Sequence, residues 1–173
     1  MSSITPVDKP VIVAVSGIKN SGKTTLIVQM LPHLNRLGLR VAVIKHDGHT
    51  FVPEVPDTDT ARHLAAGAYG TAVFDREKCK IVKYGSLSED TLIPLFPEAD
   101  LILLEGFKHS AWPKLELVRA GNSERPVCHP ETLLALVTDL PLSLPGVPTL
   151  PFGDAAAAAA LLADYVKGSA CHA

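Results

Sequence analysis

The chain has few cysteines and lacks long apolar runs, and these absences exclude several classes of protein. Its three cysteines, Cys79, Cys128 and Cys171, are too few and too scattered for a disulfide framework, which predicts a reduced, cytoplasmic compartment. No apolar stretch approaches the roughly 20 residues that a helix needs to span a bilayer. Residues 1–10 also lack the apolar core of a signal peptide. We therefore expect a cytoplasmic protein that does not enter the membrane.

The chain also lacks a strong excess of either charge. It carries 16 Lys and Arg against 18 Asp and Glu, which gives a formal net charge of −2. Because there is no long basic run and no interleaving of basic and aromatic residues, nucleic acid is not expected as a partner. With 47% apolar residues, the 173-residue chain is long enough to form one globular domain around a hydrophobic core.

A phosphate-binding motif lies near the N-terminus. Residues 17–24 read Gly-Ile-Lys-Asn-Ser-Gly-Lys-Thr, which matches the Walker A pattern G-x-x-x-x-G-K-[ST]. The motif follows the apolar run 11–15 and opens a helix-like stretch from Thr24 to Leu37, so a strand leads into a loop at a helix N-terminus. The alternative, an ordinary glycine-rich turn, would not explain why Lys23, Thr24 and Thr25 lie together at the start of a helix. We therefore predict a site for a nucleoside triphosphate.

Each residue type in this motif has a physical reason to be there. Gly17 and Gly22 allow backbone angles and a close approach that a side chain would block. Backbone N–H groups of the loop surround an anion, Lys23 can reach the β- and γ-phosphates, and the Thr24 hydroxyl can bind Mg²⁺. The predicted nucleotide-binding residues of the loop are Gly17, Lys19, Asn20, Ser21, Gly22, Lys23, Thr24 and Thr25.

The rest of the chain alternates between strand and helix patterns. Apolar or alternating runs predict strands at 11–16, 39–45, 70–74, 80–84, 100–105, 115–119 and 133–138. Helix patterns with capping residues cover 24–37, 58–66, 88–95 and 154–167. Pro32 is expected to kink or shorten the first helix. This order predicts an α/β fold with a mainly parallel sheet and helices on both faces, of the P-loop NTPase type. We expect one nucleotide-binding domain over residues 10–168, between flexible tails at 1–9 and 169–173.

Because ligands bind at the carboxyl ends of the strands in such sheets, polar residues that follow strands are candidates for the site. Asp47 follows the second strand within Lys-His-Asp-Gly-His, residues 45–49. Its carboxylate could hold a water of Mg²⁺ or orient an attacking water, whereas the alternative is a polar turn. Mg²⁺ prefers oxygen ligands, so His46 and His49 would contact phosphate or substrate if they take part.

Glu105 follows the apolar run 101–104 and resembles the carboxylate of a Walker B strand. A glutamate at this position could bind Mg²⁺ or act as a general base for water. The alternative is a carboxylate that faces solvent after the strand ends. Gly106 favours the functional interpretation, because it lets the backbone approach another group closely.

Two further sets of residues have weaker signals. Residues 57–60 read Asp-Thr-Asp-Thr and precede Arg62 and His63, which is typical of a capped helix with a charged face or of a segment that senses the γ-phosphate. Asp139 ends the strand pattern 133–138. By chain order it could accept hydrogen bonds from guanine, and it could equally cap a turn.

Four segments in this order resemble the molybdopterin-guanine dinucleotide biosynthesis protein B family (MobB). They are residues 13–26 with the phosphate loop, Val-Ile-Lys-His-Asp at 43–47, Asp59 and Arg62 followed by Ala-Ala-Gly-Ala at 65–68, and Leu-Ile-Leu-Leu-Glu-Gly-Phe-Lys at 101–108. The resemblance covers most of residues 10–140. The phosphate loop alone is shared by many families, whereas the ordered set is much more specific.

The resemblance implies a homodimeric P-loop protein that binds GTP with Mg²⁺ and hydrolyses it slowly. Such a protein is an adapter for the guanylyltransferase that attaches GMP to the molybdopterin cofactor, and it is at most a weak GTPase. Thr24, Asp47 and Glu105 would hold the metal, and Asp47 and Glu105 are the catalytic candidates. The resemblance supports a guanine-binding role for Asp139 only poorly, because the chain has no Asn-Lys-x-Asp string.

Two other classes of function remain open at this point. A small-molecule kinase would use the same loop with ATP, and Asp47 or Glu105 would be the base for a substrate hydroxyl. The arginines of this chain are scattered, however, whereas such kinases usually carry several in a lid. A metal-delivery protein would use the histidines as ligands.

Overall fold

A computed structural model of the protein describes residues 9–47 and 55–170. His49, most of the predicted loop around 50–56 and most of the two predicted tails lie outside these residues. The elements in chain order are β1 (Val11–Ser16), α1 (Lys23–Arg36), β2 (Val41–Lys45), α2 (Asp59–Ala65), β3 (Gly70–Phe74), β4 (Cys79–Lys83), α3 (Glu89–Leu92), β5 (Leu101–Glu105), β6 (Lys114–Val118), β7 (Leu133–Thr138), β8 (Thr149–Pro151) and α4 (Ala155–Ala170). Short 3-10 turns cover Ile93–Leu95 and Pro130–Thr132.

The chain divides into two compact units. Unit one combines the residues up to His46 with those from Glu89 onward, and unit two is Asp47–Ser88. Composition does not mark this boundary. The prediction of one domain over residues 10–168 stays a prediction.

Unit one contains a six-stranded sheet in the order β2-β5-β1-β6-β7-β8. Every neighbouring pair is parallel, so all six carboxyl ends meet at one edge. The phosphate loop follows β1, which lies between β5 and β6. Val15 and Lys45 both pair with Glu105 across the sheet, so the ends of β1, β2 and β5 lie at the same level. This register places the predicted loop and the predicted Walker B residue side by side.

Helices cover both faces of this sheet, as the sequence predicts. Successive residues of a strand point to opposite faces, so Val13 and Val15 of β1 pack with α1 and α4 while Ala14 packs on the other side. The first face holds the larger core, which includes Met30 and Leu34 of α1 and Leu162 of α4. The second face is covered by α3 and the turn that follows it. The predicted fold class is therefore confirmed.

Unit two consists of α2 and an antiparallel hairpin of β3 and β4. The Thr58 hydroxyl caps α2 by accepting the Ala61 N–H at 3.3 Å, which confirms the predicted helix cap. Several large apolar side chains of this unit are exposed, among them Tyr69, Phe74, Ile81 and Tyr84. The hairpin therefore presents apolar surface to solvent.

Most predicted elements are present, with a few differences at their ends. The first helix continues past Pro32 to Arg36, so the proline does not shorten it at that point. The predicted helix at 88–95 is α-helical only over Glu89–Leu92, because Pro94 lies in a 3-10 turn. The strand β8 was not predicted. Within the described residues, none of the helices is long and apolar enough to cross a membrane.

Candidate functional site

The phosphate loop has the conformation that its glycines predict. Gly17 has φ +137° and Gly22 has φ +97°, values that side chains disfavour. A Cβ atom on Gly17 would lie 2.7 Å from both the Leu117 carbonyl oxygen and the Ser21 hydroxyl. A Cβ on Gly22 would lie 3.2 Å from the Phe152 ring. The loop is therefore packed closely against β6 and against the residue that follows β8.

The Lys23 ammonium group folds back over this loop. It donates to the Ile18 carbonyl at 2.7 Å and lies 3.4 Å from the Gly17 carbonyl. Burial lowers the pKa of Lys23, and the nearby ammonium groups of Lys45 and Lys108 lower it further, whereas the Glu105 carboxylate raises it. An anion bound in the loop would give this cation a partner of opposite charge.

Glu105 points into the site rather than into solvent. It is 7% exposed, and its Oε1 accepts a hydrogen bond from the Thr24 hydroxyl at 2.5 Å. The same oxygen lies 3.4 Å from the Lys45 Nζ. The solvent-facing alternative for Glu105 is therefore wrong. Two oxygen groups of the kind that Mg²⁺ prefers, a hydroxyl and a carboxylate, lie together beside the phosphate loop.

The other predicted loop residues differ in conformation and exposure. Asn20 has φ +62°, and Ser21 is fully buried. Lys19 is exposed, and its carbonyl accepts the Asn122 side-chain N–H at 3.1 Å. Thr25 is exposed on the first turn of α1. The residues from Gly17 to Thr25 are thus brought together as one loop and helix start.

Asp47 is the first residue of unit two and directly follows His46. The His46 N–H donates to the Glu105 carbonyl at 3.2 Å, and its ring meets Phe107 edge to face at 5.6 Å between centroids. His46 is therefore held beside the end of β5 by backbone and ring contacts. The metal and catalytic roles of Asp47 stay predictions.

Asp139 has a structural partner at the end of β7. Its Oδ1 accepts the Ala120 N–H at 2.8 Å, which ties the turn after β6 to the end of β7. This bond supports the turn interpretation of Asp139. The guanine-reading role stays a prediction.

Sequence reasoning did not identify several residues that the structure brings to this edge. Lys45 and Lys108 lie in the quoted motifs, but the sequence does not show that Lys45 pairs with Glu105 across the sheet or that the charge of Lys108 acts on Lys23. Asn122 reaches the phosphate loop from the turn after β6, and the Arg119 guanidinium lies 5.9 Å from the centre of the Phe152 ring. Their short-range sequence context has no signal that would reveal these contacts.

Strand β6 carries two buried charged residues, Lys114 and Glu116. Lys114 is fully buried and donates to the Ser110 carbonyl at 2.6 Å. Glu116 is 1% exposed, and its Oε1 accepts the Val127 N–H at 2.6 Å and the Cys128 N–H at 3.2 Å. Burial raises the pKa of the Cys128 thiol to about 12, and Glu116 adds to this effect. Burial lowers the pKa of Lys114, whereas Cys128 and Glu116 raise it.

The structure gives no support to a metal-delivery site in its described part. Over residues 9–47 and 55–170, no three His, Cys, Asp or Glu side chains are grouped as ligands of one metal ion. The oxygen pair of Thr24 and Glu105 suits instead a cation that is also held by a phosphate group.

Known proteins resemble this chain in both sequence and structure. The family model described as "Molybdopterin guanine dinucleotide synthesis protein B" (MobB) matches residues 12–139. A protein named molybdopterin-guanine dinucleotide biosynthesis adapter protein, from Escherichia coli, is 30% identical over 141 residues, which are 77% of this chain and 81% of that protein. The protein of the same name from Haemophilus influenzae is 31% identical over 137 residues, which are 77% of each chain.

Solved structures agree with these sequence matches. The crystal structure of Bacillus subtilis MobB has a TM-score of 0.71 to this chain at 29% identity, and the match covers 88% of this chain and 96% of that one. A MobB homologue from Bacillus stearothermophilus has a TM-score of 0.66 at 25% identity, over 91% and 98% of the two chains. The family match spans most of the chain and includes the phosphate loop, Lys45, Glu105 and Asp139. The chain therefore belongs to the molybdopterin-guanine dinucleotide synthesis protein B family.

Proposed function

We propose that this protein is a GTP-binding adapter in molybdopterin-guanine dinucleotide biosynthesis, and that it assists the guanylyltransferase that attaches GMP to the molybdopterin cofactor. The adapter role is supported by family membership and by relatives with that name. The single observation that carries nucleotide binding is the loop geometry, in which Gly17, Gly22 and Lys23 form an anion site at a helix N-terminus. The cytoplasm, where the reduced cysteines are expected, is the proposed location.

Mg²⁺ is part of the proposal, because the residues present fit it. The Thr24 hydroxyl and the Glu105 carboxylate would hold the ion, and Asp47 is a further candidate. Bound there, Mg²⁺ would neutralise negative charge on the phosphates. The Thr24 hydroxyl donates a hydrogen bond to Glu105, and Lys45 compensates the charge of that carboxylate. Hydrolysis would be slow if no arginine is supplied in cis to the γ-phosphate, since such a residue is worth about 10³–10⁵ in rate.

We also propose that the protein forms a homodimer. The exposed apolar side chains of the β3–β4 hairpin, including Phe74 and Ile81, support a protein contact at unit two. The guanylyltransferase is the second proposed partner. A mass of one chain by sedimentation equilibrium would contradict the dimer.

A reconstituted reaction tests the adapter function. We expect the wild-type protein to raise the yield of guanylated cofactor when it is added to molybdopterin cofactor, GTP, Mg²⁺ and the guanylyltransferase. Heat-denatured protein at the same concentration is the control for nonspecific effects. If the native protein leaves the yield unchanged, the adapter proposal is wrong, and ATP-dependent phosphoryl acceptors should then be screened.

The choice of guanine can be tested at Asp139. If its carboxylate accepts hydrogen bonds from guanine, Asp139→Asn should weaken GTP binding by about 10- to 100-fold and improve binding of xanthosine triphosphate, because the amide can donate where the carboxylate only accepts. If Asp139 only anchors Ala120, the variant should weaken both nucleotides alike. Dissociation constants for the two nucleotides distinguish these roles.

A further inference from the structure

The turn after β6, residues 119–123, carries polar side-chain atoms that the turn itself does not satisfy. Among residues 9–47 and 55–170, the buried side-chain nitrogen and oxygen atoms without a hydrogen-bond partner are Arg119 Nε, Asn122 Oδ1 and Ser123 Oγ. A buried polar atom without a partner is destabilising, and native structures contain few of them. Because all three lie in one turn, this turn calls for a functional explanation.

The backbone of the turn, in contrast, is hydrogen-bonded. The Asn122 and Ser123 N–H groups both donate to the Arg119 carbonyl, at 3.2 Å and 3.1 Å. Gly121 has φ +72°, a value that side chains disfavour, so the sequence is suited to this tight turn. The backbone conformation is therefore supported locally, and the unsatisfied groups are on the side chains.

Two of these side chains are placed by contacts beside the phosphate loop. Asn122 Nδ2 donates to the Lys19 carbonyl of the loop at 3.1 Å. Because a carbonyl can only accept, the amide nitrogen faces Lys19, and Oδ1 is the acceptor that remains. The Arg119 guanidinium lies 5.9 Å from the centre of the Phe152 ring, and the same ring lies close to Gly22 of the loop. The turn therefore borders the phosphate loop.

The turn also contacts the candidate for guanine recognition. Its Ala120 N–H donates to Asp139 Oδ1 at 2.8 Å, while its Asn122 side chain contacts the phosphate loop. In a nucleoside triphosphate, the ribose connects the phosphates to the base. A nucleotide that is bound by the loop and by Asp139 would therefore bring its ribose to this turn.

The unsatisfied atoms suit the hydroxyl groups of a ribose. Arg119 Nε–H is a donor, Asn122 Oδ1 is an acceptor, and the Ser123 hydroxyl can be either. Each ribose hydroxyl can also both donate and accept. A phosphate group mainly accepts, so it would be a poor partner for the Asn122 oxygen. The three residues are half-buried on a surface turn, so their side chains can rotate towards a ligand without unpacking the core.

We propose that Arg119, Asn122 and Ser123 bind the ribose hydroxyl groups and thereby select ribonucleotides over deoxyribonucleotides; this inference rests on the proposed GTP-binding function. Asn122 Oδ1 accepts a hydrogen bond from one hydroxyl, and Arg119 Nε and the Ser123 hydroxyl bond to the ribose oxygen atoms. Because Asn122 also holds the Lys19 carbonyl, it links the ribose to the phosphate loop.

Equilibrium titration of the full chain with GTP, 2′-deoxy-GTP and 3′-deoxy-GTP, each with Mg²⁺, tests this selection. The wild type should bind GTP about tenfold more tightly than at least one of the deoxynucleotides, because a missing hydroxyl leaves protein groups unpaired. Asn122→Ala and Ser123→Ala should each reduce that ratio to less than about threefold, whereas Ser123→Thr, which keeps the hydroxyl, should retain it.

Matched controls are available elsewhere in the chain. Ser86 is exposed in unit two, and Asn35 is exposed in the last turn of α1, at the opposite end of the helix from the phosphate loop. Ser86→Ala and Asn35→Ala should therefore keep the wild-type ratio of affinities. Circular dichroism melting of each variant confirms that it is folded.

The outcomes separate this inference from the function on which it rests. If the wild type binds GTP and both deoxynucleotides with equal affinity, the ribose proposal is overturned while nucleotide binding stands. An equal loss of affinity for all three nucleotides in Asn122→Ala and Ser123→Ala overturns it as well, because it shows that the turn only supports the phosphate loop. If the wild type binds none of the three, the proposed function fails and this inference fails with it.

Discussion

Replacing Lys23 with alanine is expected to abolish nucleotide binding and to leave the fold intact. The ammonium group lies over the loop and donates to the Ile18 carbonyl, so it is within the loop that is expected to bind the phosphates of the nucleotide. Each charge-assisted bond to a phosphate is worth about 1.5–3 kcal/mol, and Lys23 would make such bonds to two phosphates. We therefore expect GTP affinity to fall by at least about 100-fold in titration calorimetry.

The same substitution should have little effect on stability. The Lys23 side chain is only partly buried, its bonds go to loop carbonyls, and its removal leaves no large core side chain unpacked. Removing the Lys23 ammonium group ends its repulsion from Lys45 and Lys108 and also its attraction to Glu105, and these two changes oppose each other. Lys167→Ala is the matched control for loss of a lysine. Wild-type GTP affinity in Lys23→Ala would show that the loop assignment is wrong.

The phosphate site could be predicted because its signals are local. Gly17, Gly22, Lys23 and Thr24 lie within eight residues, and the strand before them and the helix after them have clear hydrophobic patterns. Glu105 was predicted for a similar reason, since it ends a buried apolar strand. The pairing of Val15 and Lys45 with Glu105 then follows from a parallel sheet, although its register is visible only in the structure.

Other features depend on long-range contacts that no short pattern encodes. The strand β8 has only three residues, lies among prolines and is defined by its pairing with β7. The Asn122 side chain donates a hydrogen bond to the Lys19 carbonyl, although the two residues are 103 positions apart in the chain. The division into two units is likewise a property of contacts, since residues 47–88 have no distinctive composition.

The buried charges of β6 were missed for a more general reason. Lys and Glu are almost never fully buried, so a charged residue in a strand is normally assigned to the solvent face. Lys114 and Glu116 depart from this rule because each has backbone groups to bind. Through its bond to Ser110, Lys114 anchors the turn after β5. Glu116 anchors Val127 and Cys128, which end the segment that begins after β6. Asn122 contacts the phosphate loop from this same segment.

Glu116→Gln is therefore expected to lower the free energy of unfolding by about 3 kcal/mol, because it removes a buried charge and at least one acceptor. The Val127 and Cys128 N–H groups both donate to this carboxylate, and an amide can accept only through its single oxygen. The substitution also removes the charge of Glu116, which raises the pKa of the buried Lys114 together with Cys128. Urea denaturation followed by circular dichroism measures the change.

Glu98→Gln is the matched control, since Glu98 is exposed in the turn before β5 and should change stability by less than about 0.5 kcal/mol. A loss below about 1 kcal/mol for Glu116→Gln would contradict the anchoring role, because an unsatisfied buried group costs at least that much. If the variant is less stable but folded, its affinity for GTP should also fall, since loosening Val127 and Cys128 releases the segment that carries Asn122. An unchanged affinity in the folded variant would show that the Asn122 contact with the phosphate loop does not depend on this anchor.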